Sequence, residues 1–425
     1  MDDLEVLCEI AKSEPHAAYQ AYTKGYYSKF LYFMRTIKDF GTYLKPVENL
    51  LTTKFIPTLL GMSEPPDANN RRLYALPPKY GGLNIKFPSA EASIQYEHSV
   101  LITNGHVNAI VKQEKTWDGF DEFGNTVKML KTEVQAKITE QKKLKIREVD
   151  ASLDENLARL VDQARDKGAS SWLTANPNHR QDMVLNKSEF HDALRIRYGL
   201  RLDNLPSTCV CGTKFDIAHA LQCKKGGFIS QRHDDIKNML AVCLGSICKN
   251  VTVEPDLIPV SNETFRFKSA NVEKDARLDI KANGFYRRGQ TAFFDVRIVH
   301  VNAESYKEKE TKTIFSQNEN EKKRTYLERV LNIEHGTFTP LIFGTNGGYG
   351  KEAGDFLKIL ANKISEKGGE QYATITAWLR AKLSFEILKS TLLCIRGSRT
   401  IFKKSNCEDY VLDFHLNAFE ADIRV

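Results

Sequence analysis

The sequence lacks any apolar run of the roughly 18 to 20 residues that a membrane-spanning helix requires. It also lacks a signal peptide pattern: the first residues, MDDLEVLCEIAKSEPHAAY, carry acids where a signal peptide carries bases. The excess of basic over acidic residues is small, 61 against 54, which permits a polyanionic partner without demanding one. We therefore expect a soluble protein that is neither secreted nor bound to a membrane.

The eight cysteines do not follow the pattern of a secreted disulfide scaffold. A chain of 425 residues with 41% hydrophobic content can bury its core without cross-links, divided over two or three domains. A reducing compartment is therefore the expected location. Outside one cluster, the cysteines have no evident metal-binding partners and are predicted to lie in the core: Cys8, Cys243, Cys248, Cys394 and Cys407.

The exception is the stretch CVCGTKFDIAHALQC, which contains Cys209, Cys211, His219 and Cys223. Three thiolates and one imidazole satisfy a tetrahedral Zn²⁺ with no open position, so the predicted zinc site is structural. The spacing predicts that the two cysteines at the start chelate from a loop, and that the last two ligands share one face of a helix. The alternative is a set of buried free cysteines around a hydrogen-bonded histidine.

Residues 1 to about 60 have the periodicity of helices that are rich in aromatic residues. The stretch AAYQAYTKGYYSKFLYFMRT interleaves these rings with Lys24, Lys29 and Arg35. Rings at helical spacing indicate a buried core, whereas rings among cations can also form a surface that stacks nucleic-acid bases. Both interpretations apply to Tyr19, Tyr22, Tyr26, Tyr27, Phe30, Tyr32 and Phe33.

Between about 126 and 167, apolar residues recur every three or four positions among dense charge, which predicts one long helix or a helical hairpin ending near Gly168. The stretch KSEFHDALRIRYGL predicts another amphipathic helix with Phe190, Leu194 and Ile196 turned inward. A domain boundary is predicted between these helices, near 165–185.

Beyond the Cys/His cluster, the pattern predicts the order helix, strand, strand, strand, helix, strand. The segments are SQRHDDIKNMLAVCLGSI, NVTVEPDL, ARLDIKA, TAFFDVRIVHV, NENEKKRTYLERVL and FTPLIFGTNGG. Asn283, Gly284 and Gly289 predict a hairpin between the second and third strands. Asp279 and Asp295 each lie between apolar residues on these two strands.

Burial of a carboxylate is unfavourable unless a cation or donor compensates it, so two such aspartates on adjacent strands suggest a shared divalent ion. The alternative is that each aspartate bonds only to an arginine or to backbone amides. Asp234, Glu254, Lys322 and Lys323 surround the pair in the predicted order of elements and favour the metal. Mg²⁺ on Asp279 and Asp295, with a lysine near developing charge, predicts phosphodiester hydrolysis.

At these residues the chain resembles the C-terminal part of non-LTR retrotransposon proteins that carry a restriction-like endonuclease. The matching stretches are CVCGTKFDIAHALQC, RHDD, ARLDI, FFDVRIV and EKKRTY. The resemblance implies zinc ligation by the Cys/His cluster, Mg²⁺ or Mn²⁺ ligation by Asp279 and Asp295, and a catalytic role for Lys322. It also implies that Arg232 and His233 orient DNA or brace the site.

Two positions depart from the family pattern. Leu278 replaces the usual proline before the first aspartate, and Arg297 stands where a typical nuclease of this fold has its lysine. Arginine holds phosphate but its pKa cannot be tuned to that of a base. The upstream helices resemble the thumb-like segment that follows a polymerase palm, and the palm itself has no counterpart, so DNA synthesis is not expected.

The sequence therefore predicts an α+β protein with an N-terminal all-α lobe, a zinc knuckle, a PD-(D/E)xK restriction-endonuclease-like core and a C-terminal helical tail. The expected function is a DNA endonuclease, with RNA as a further partner, and the resemblance implies the nucleus, with the cytoplasm as the alternative. The alternatives are a catalytically silent nucleic-acid-binding remnant and a zinc-stabilised protein-interaction domain. Predicted domains are a thumb-like region at 1–110, a helical linker at 111–200, the CCHC knuckle at 201–228, the nuclease core at 229–350 and the tail at 351–425.

Overall fold

The computed structural model describes residues 2–114, 123–261 and 263–399. Contacts divide the chain into two compact units, one of residues 1–166 with 172–202 and one of residues 167–171 with 203–425. The units change at 166/167 and 171/172, within the predicted stretch of 165–185, and again after residue 202. The predictions for Cys407 and for the last part of the tail, residues 400–425, lie outside the described residues.

The first unit consists of helices. Trp172 and His16 both pack against Phe190, with ring centroids 5.9 and 5.2 Å away, which is why residues 172–202 belong to this unit. The prediction of an inward Phe190 and Leu194 is confirmed, whereas Ile196 is only half-buried. The α-helices are α1 Asp2–Ser13, α2 Pro15–Lys24, α3 Leu31–Thr36, α4 Lys45–Leu50, α5 Ile56–Leu60, α6 Ala68–Ala75, α7 Pro88–Val111, α8 Phe123–Asp150, α9 Glu155–Arg165, α10 Ser171–Thr174 and α11 Lys187–Arg197.

The charged region from 126 to 167 forms two helices, as one of the two predicted arrangements requires. Helix α8 ends at Asp150, and α9 starts after Asp154, whose side chain accepts a hydrogen bond of 2.9 Å from the amide of Leu157. Such an acceptor satisfies an amide that has no partner within the helix. Among the described residues, no helix is both long and apolar enough to cross a membrane.

The second unit contains the predicted order of helix, strand, strand, strand, helix, strand, so the chain is a mixed α+β protein. The four strands form one sheet in the order β1-β2-β3-β4, with antiparallel pairs at β1-β2 and β2-β3 and a parallel pair at β3-β4. The strands are β1 Lys249–Val253, β2 Ile280–Asn283, β3 Thr291–Val299 and β4 Thr337–Gly344. The helices are α12 Ile217–Ala220, α13 Phe228–Gly245, α14 Thr311–Asn332, α15 Lys351–Gly368 and α16 Tyr372–Arg396.

Two apolar layers bury β3 on both faces. Phe294 packs with Phe285 and Phe356 on the side of α13, α15 and α16, whereas Phe293 packs with Val330 on the side of α14. Burial on both sides explains why TAFFDV is a continuous apolar run interrupted by one acid. That acid, Asp295, is 5% exposed. Core packing therefore places a carboxylate in the interior of the sheet.

Candidate functional site

The four side chains of the Cys/His cluster come together. Their ligand atoms all lie within 4.8 Å of one another, with 3.8 Å between Sγ of Cys209 and Sγ of Cys223, and 3.3 Å between Sγ of Cys211 and Nε2 of His219. In the described part of the chain this is the one group of three or more Cys, His, Asp or Glu residues with such convergence. The group could hold a metal ion.

Local backbone hydrogen bonds build this cluster. The amide of Cys209 donates to the carbonyl of Thr213 at 2.9 Å, and Gly212, with a φ of +87°, allows the tight turn between them. Asp216 caps α12 by accepting a 2.7 Å bond from the amide of His219. Helix α12 ends at Ala220, so the prediction that Cys223 lies on the same helix is wrong. A 2.8 Å bond from its amide to the carbonyl of His219 nevertheless holds Cys223 beside that histidine.

Cys211 has a thiol that ionises readily. Hydrogen bonds from the side chain and backbone of Thr213 lower its pKa to about 6. The thiolate is the form that binds metals, and this environment favours it at neutral pH. Thr213 was not singled out from the sequence, because a threonine inside the loop is not itself a ligand.

Two arginines support the backbone between His219 and Cys223. Arg232 donates to the carbonyl of Leu221 at 3.3 Å and contacts Sγ of Cys394 at 3.8 Å. Arg399 donates to the carbonyl of Ala220 at 3.2 Å. Because Arg232 is only 3% exposed, its contacts suit bracing, one of its two predicted roles, better than contact with DNA. A guanidinium has enough donors to satisfy several carbonyls, which explains why arginine occupies this position.

Asp279 and Asp295 meet at one end of the β2-β3 pair. Ile280 pairs with Phe294, so Asp279, one residue before β2, follows in register beside Asp295. The amide of Asp279 donates to the carbonyl of Phe294 at 3.2 Å. Its Oδ2 atom accepts a 2.6 Å bond from the amide of Val296. The carboxylate of Asp279 thus serves as the acceptor for the Val296 amide, in place of a backbone carbonyl, and this bond holds it against β3.

Lys322 compensates the buried charge of Asp295. Its Nζ lies 2.8 Å from Oδ2 and 3.1 Å from Oδ1 of Asp295. Burial raises the pKa of Asp295, Lys322 opposes that shift, and the neighbouring carboxylate of Asp279 adds to it. The contact of Oδ2 with Nζ is close, but it lacks hydrogen-bond geometry, so this buried oxygen has no hydrogen-bond donor. Both carboxylate oxygens of Asp295 therefore face the ammonium group of Lys322.

His233 bridges Asp279 and Asp234. Its Nε2 lies 3.2 Å from Oδ2 of Asp279 and its Nδ1 lies 3.3 Å from Oδ1 of Asp234. Burial alone would lower the pKa of His233, but the bonds to Asp279 and Asp234 outweigh it and raise the pKa overall. Because a carboxylate faces each ring nitrogen, the doubly protonated ring suits both contacts.

Lys237 holds the predicted supporting acids and was missed in the sequence. Its Nζ lies 2.8 Å from Asp234 and 2.5 Å from Glu254, and its side chain is 3% exposed. Asp234 and Glu254 therefore lie in a row that reaches Asp279 through His233. The available signal was the spacing of Asp234 and Lys237, three residues apart on a helix, which brings such side chains together.

The other predicted supporting residues face different partners. Arg297 lies 3.0 Å from Glu321, and Lys323 lies 2.5 Å from Glu352. Helix α14 begins at Thr311, seven residues before the predicted segment NENEKKRTYLERVL, so Lys322 and Lys323 lie in the interior of the helix. Neighbouring helical residues point about 100° apart, so only one of the two lysines can reach the same acid.

The site therefore has two parts, both in the second unit. One is the Cys/His cluster, which precedes α13 in the chain, and the other is the acidic group at the β2-β3 pair. Both are held by charged side chains that are themselves buried, Arg232 in the first and Lys237 in the second. Comparison with protein-family models and with curated proteins identifies no match for the chain.

Proposed function

We propose that the second unit is a divalent-metal-dependent DNA endonuclease of the restriction-like type, braced by zinc and related to retrotransposon proteins. One observation carries the proposal: Asp279 and Asp295 lie side by side at one end of the β2-β3 pair, and the ammonium group of Lys322 reaches Asp295 from α14. The order of helix, three strands, helix and strand, with the last pair of strands parallel, supports a restriction-like core. Kinship to retrotransposons and residence in the nucleus belong to the same proposal.

The acidic pair fits a hard divalent cation. Mg²⁺ and Mn²⁺ prefer carboxylate oxygens, and two carboxylates that disfavour each other's ionisation are stabilised by a shared cation. Asp279 acts in this way on Asp295, because its neighbouring carboxylate raises the pKa of Asp295. Asp279 and Asp295 would hold the ion. When bound, it would polarise the phosphodiester and make a water molecule more acidic.

The protein's own residues then divide the remaining work. Lys322 can stabilise negative charge that develops on the phosphate, since its ammonium group already lies at Asp295. His233 and the amide of Val296 fix the orientation of Asp279 through Oδ2. Lys237, through Asp234, fixes His233. Ligands that are positioned in advance lose less entropy when the substrate binds.

The Cys/His cluster fits zinc. In a tetrahedral site with Zn–S bonds of about 2.3 Å, two sulfurs are separated by about 3.8 Å. The Cys209 and Cys223 sulfurs are 3.8 Å apart, which is also far beyond the roughly 2 Å of a disulfide bond. Three thiolates and an imidazole leave no open coordination position, so the zinc would be structural.

A catalytically silent nucleic-acid-binding remnant is the second candidate. Arg297 stands two residues after Asp295, where a typical nuclease of this fold has lysine, and it is engaged by Glu321. The bond between Asp279 and the amide of Val296 also suits a purely structural aspartate. In this candidate the zinc cluster and the binding of nucleic acid persist without hydrolysis.

Nicking of supercoiled plasmid in the presence of Mg²⁺ or Mn²⁺ tests the proposal. We expect the parent protein to nick the plasmid and Asp295→Asn to lose the activity, with Asp256→Asn as the matched control because Asp256 is an exposed acid whose ion pair is with Arg277. Far-UV circular dichroism and zinc content establish that each variant is folded. Equal nicking by the parent and Asp295→Asn would refute the site assignment, and a folded but inactive parent would favour the second candidate.

A further inference from the structure

The first unit exposes part of its aromatic residues as a connected surface. Tyr19 and Tyr22 are buried, whereas Tyr32 and Tyr43 are 70% and 74% exposed. These two rings are the ends of a chain of contacts on α3 and the following turn, which we name the aromatic ladder. Its members are Tyr32, Phe33, Phe40 and Tyr43, with successive ring centroids 5.6, 5.6 and 6.1 Å apart.

The aromatic ladder rests on a fixed base. Met34 and Leu44, which directly follow Phe33 and Tyr43 in the chain, are almost completely buried. Gly41 packs so closely on helix α7 that an added Cβ would lie 2.4 Å from the carbonyl oxygen of Ser89. Arg35 is tied to α7 by a bond of 3.1 Å from its Nε to Gln95. The exposed rings are therefore presented by a packed element.

Basic residues outnumber acidic ones in the segment that carries these rings. From Lys24 to Lys54 the chain carries six basic residues against two acids, a net charge of +4, whereas the whole chain has +7. Exposed Lys38 and Lys45 adjoin the aromatic ladder in sequence. Exposed aromatic rings flanked by cations match a ligand with flat apolar faces and a polyanionic backbone.

We propose that the aromatic ladder binds single-stranded nucleic acid, with unpaired bases stacked on Tyr32 and Tyr43 and phosphates near Lys38 and Lys45. A duplex cannot offer its base faces, since they are stacked within the helix, so single strands are preferred. Stacking is indifferent to the sugar, and both RNA and DNA strands carry the required chemistry. This binding site is separate from the acidic pair and does not depend on hydrolysis.

Fluorescence anisotropy with labelled 20-nucleotide oligo-U, oligo-dT and a 20-base-pair duplex tests the proposal, without added divalent metal so that nothing is cut. We expect the double variant Tyr32→Ala/Tyr43→Ala to bind at least one of the single strands about tenfold or more weakly than the parent. The double variant Tyr32→Phe/Tyr43→Phe keeps the ring faces and should retain binding. Tyr372→Ala removes a 43% exposed tyrosine from the second unit and serves as the matched control.

Three outcomes would overturn the proposal. The first is unchanged single-strand affinity in the alanine pair, and the second is an equal loss in the phenylalanine pair, which would place the effect in the hydroxyl groups. The third is that sedimentation shows the parent to be a dimer and the alanine variant a monomer, while the affinity for single strands is unchanged. The ladder would then be a contact between two copies of the chain. A variant that loses single-strand binding but still nicks plasmid, or one that loses nicking but still binds single strands, would distinguish this site from the proposed nuclease site.

Discussion

Asp295 is the residue on which the chemistry of the second unit depends. A carboxylate that is 5% exposed is costly to ionise, and Lys322 is the nearby cation that offsets this cost. Because the same ammonium group is proposed to stabilise the phosphate, its removal should affect both stability and activity. The adjacent Lys323 provides an internal comparison, since it lies against Glu352.

We expect Lys322→Ala to lower plasmid nicking by about 100-fold or more, as the loss of a positioned charge-stabilising group does. It should also lower the free energy of unfolding by on the order of 1 kcal/mol, because Asp295 loses a partner that is itself partly exposed. Lys323→Ala should retain nicking. Plasmid assays and urea unfolding of both variants measure this difference. Loss of nicking in Lys323→Ala alone would move the role one residue along the helix.

Asp235 gives the pH prediction at the residue scale. Burial, followed by repulsion from Glu386 and Asp234, raises its pKa from 3.8 to about 6. The folded state therefore holds the proton more tightly than the unfolded state, and the resulting stability is complete below pH 3.8 and lost as the pH rises to about 6. A shift of about two units corresponds to at most about 3 kcal/mol, which partial exposure reduces to on the order of 1 kcal/mol.

Asp235→Asn should accordingly become more stable relative to the parent as the pH rises from 4.5 to 7.5, by on the order of 1 kcal/mol. Urea unfolding at the two pH values measures this change. Asp256→Asn removes an exposed carboxylate and should not show it. A difference between parent and Asp235→Asn that is the same at both pH values would contradict the assigned burial of Asp235.

At the scale of elements, the Cys/His loop depends on distant parts of the chain. Arg232 from α13 and Arg399 beyond α16 donate to carbonyls at the C-terminal end of α12, those of Leu221 and Ala220. A helix of four residues has too few internal hydrogen bonds to be stable alone, so its shape depends on contacts with other parts of the chain, such as these braces. The loop, α13 and the end of α16 therefore form one structural group.

We expect about one zinc per chain in the purified protein, and a loss of most of it in Cys209→Ser. Cys248→Ser is the matched control, because Cys248 is a half-buried cysteine without a metal-binding group around it. Elemental analysis of the purified variants provides the measurement. Zinc content far below one in the parent, or unchanged content in Cys209→Ser, would remove the metal from the cluster.

The ends of the helices and strands are the features that the sequence pattern did not predict. Asp279 was expected within a strand, but the strand begins at Ile280, because the side chain of Asp279 replaces a backbone acceptor for Val296. Helix α14 was expected near residue 318, but it begins at Thr311, and the stretch TKTIFSQ has little charge periodicity to reveal it. Side-chain competition with the backbone and tertiary packing decide such ends.

At the scale of the whole molecule, the chain has two compact units, and only the second contains the Cys/His cluster. Structural zinc contributes roughly 10 kcal/mol or more to the folding of small modules. Because a ligand stabilises only the unit whose native state binds it, metal removal should act selectively. A chain of two units also need not unfold in a single transition.

We therefore expect scanning calorimetry to show that a zinc chelator such as TPEN lowers the midpoint of one transition and leaves a second one in place. The transition that remains belongs to the first unit. Cys209→Ser should already lack the chelator response. A chelator that shifts every transition equally, or none, would contradict the independence of the two units or the presence of a structural metal.

The sequence by itself determined the local features. The periods of 2 and 3.6 residues indicated the order of elements in the second unit, and four ligands within fifteen residues indicated the metal-binding group, because both signals lie within short stretches. Tertiary structure decided the rest. It buried Arg232, paired Lys322 and not Lys323 with Asp295, and exposed Tyr32 while burying Tyr22. These outcomes depend on which distant elements pack together, and periodicity along one segment does not contain that information.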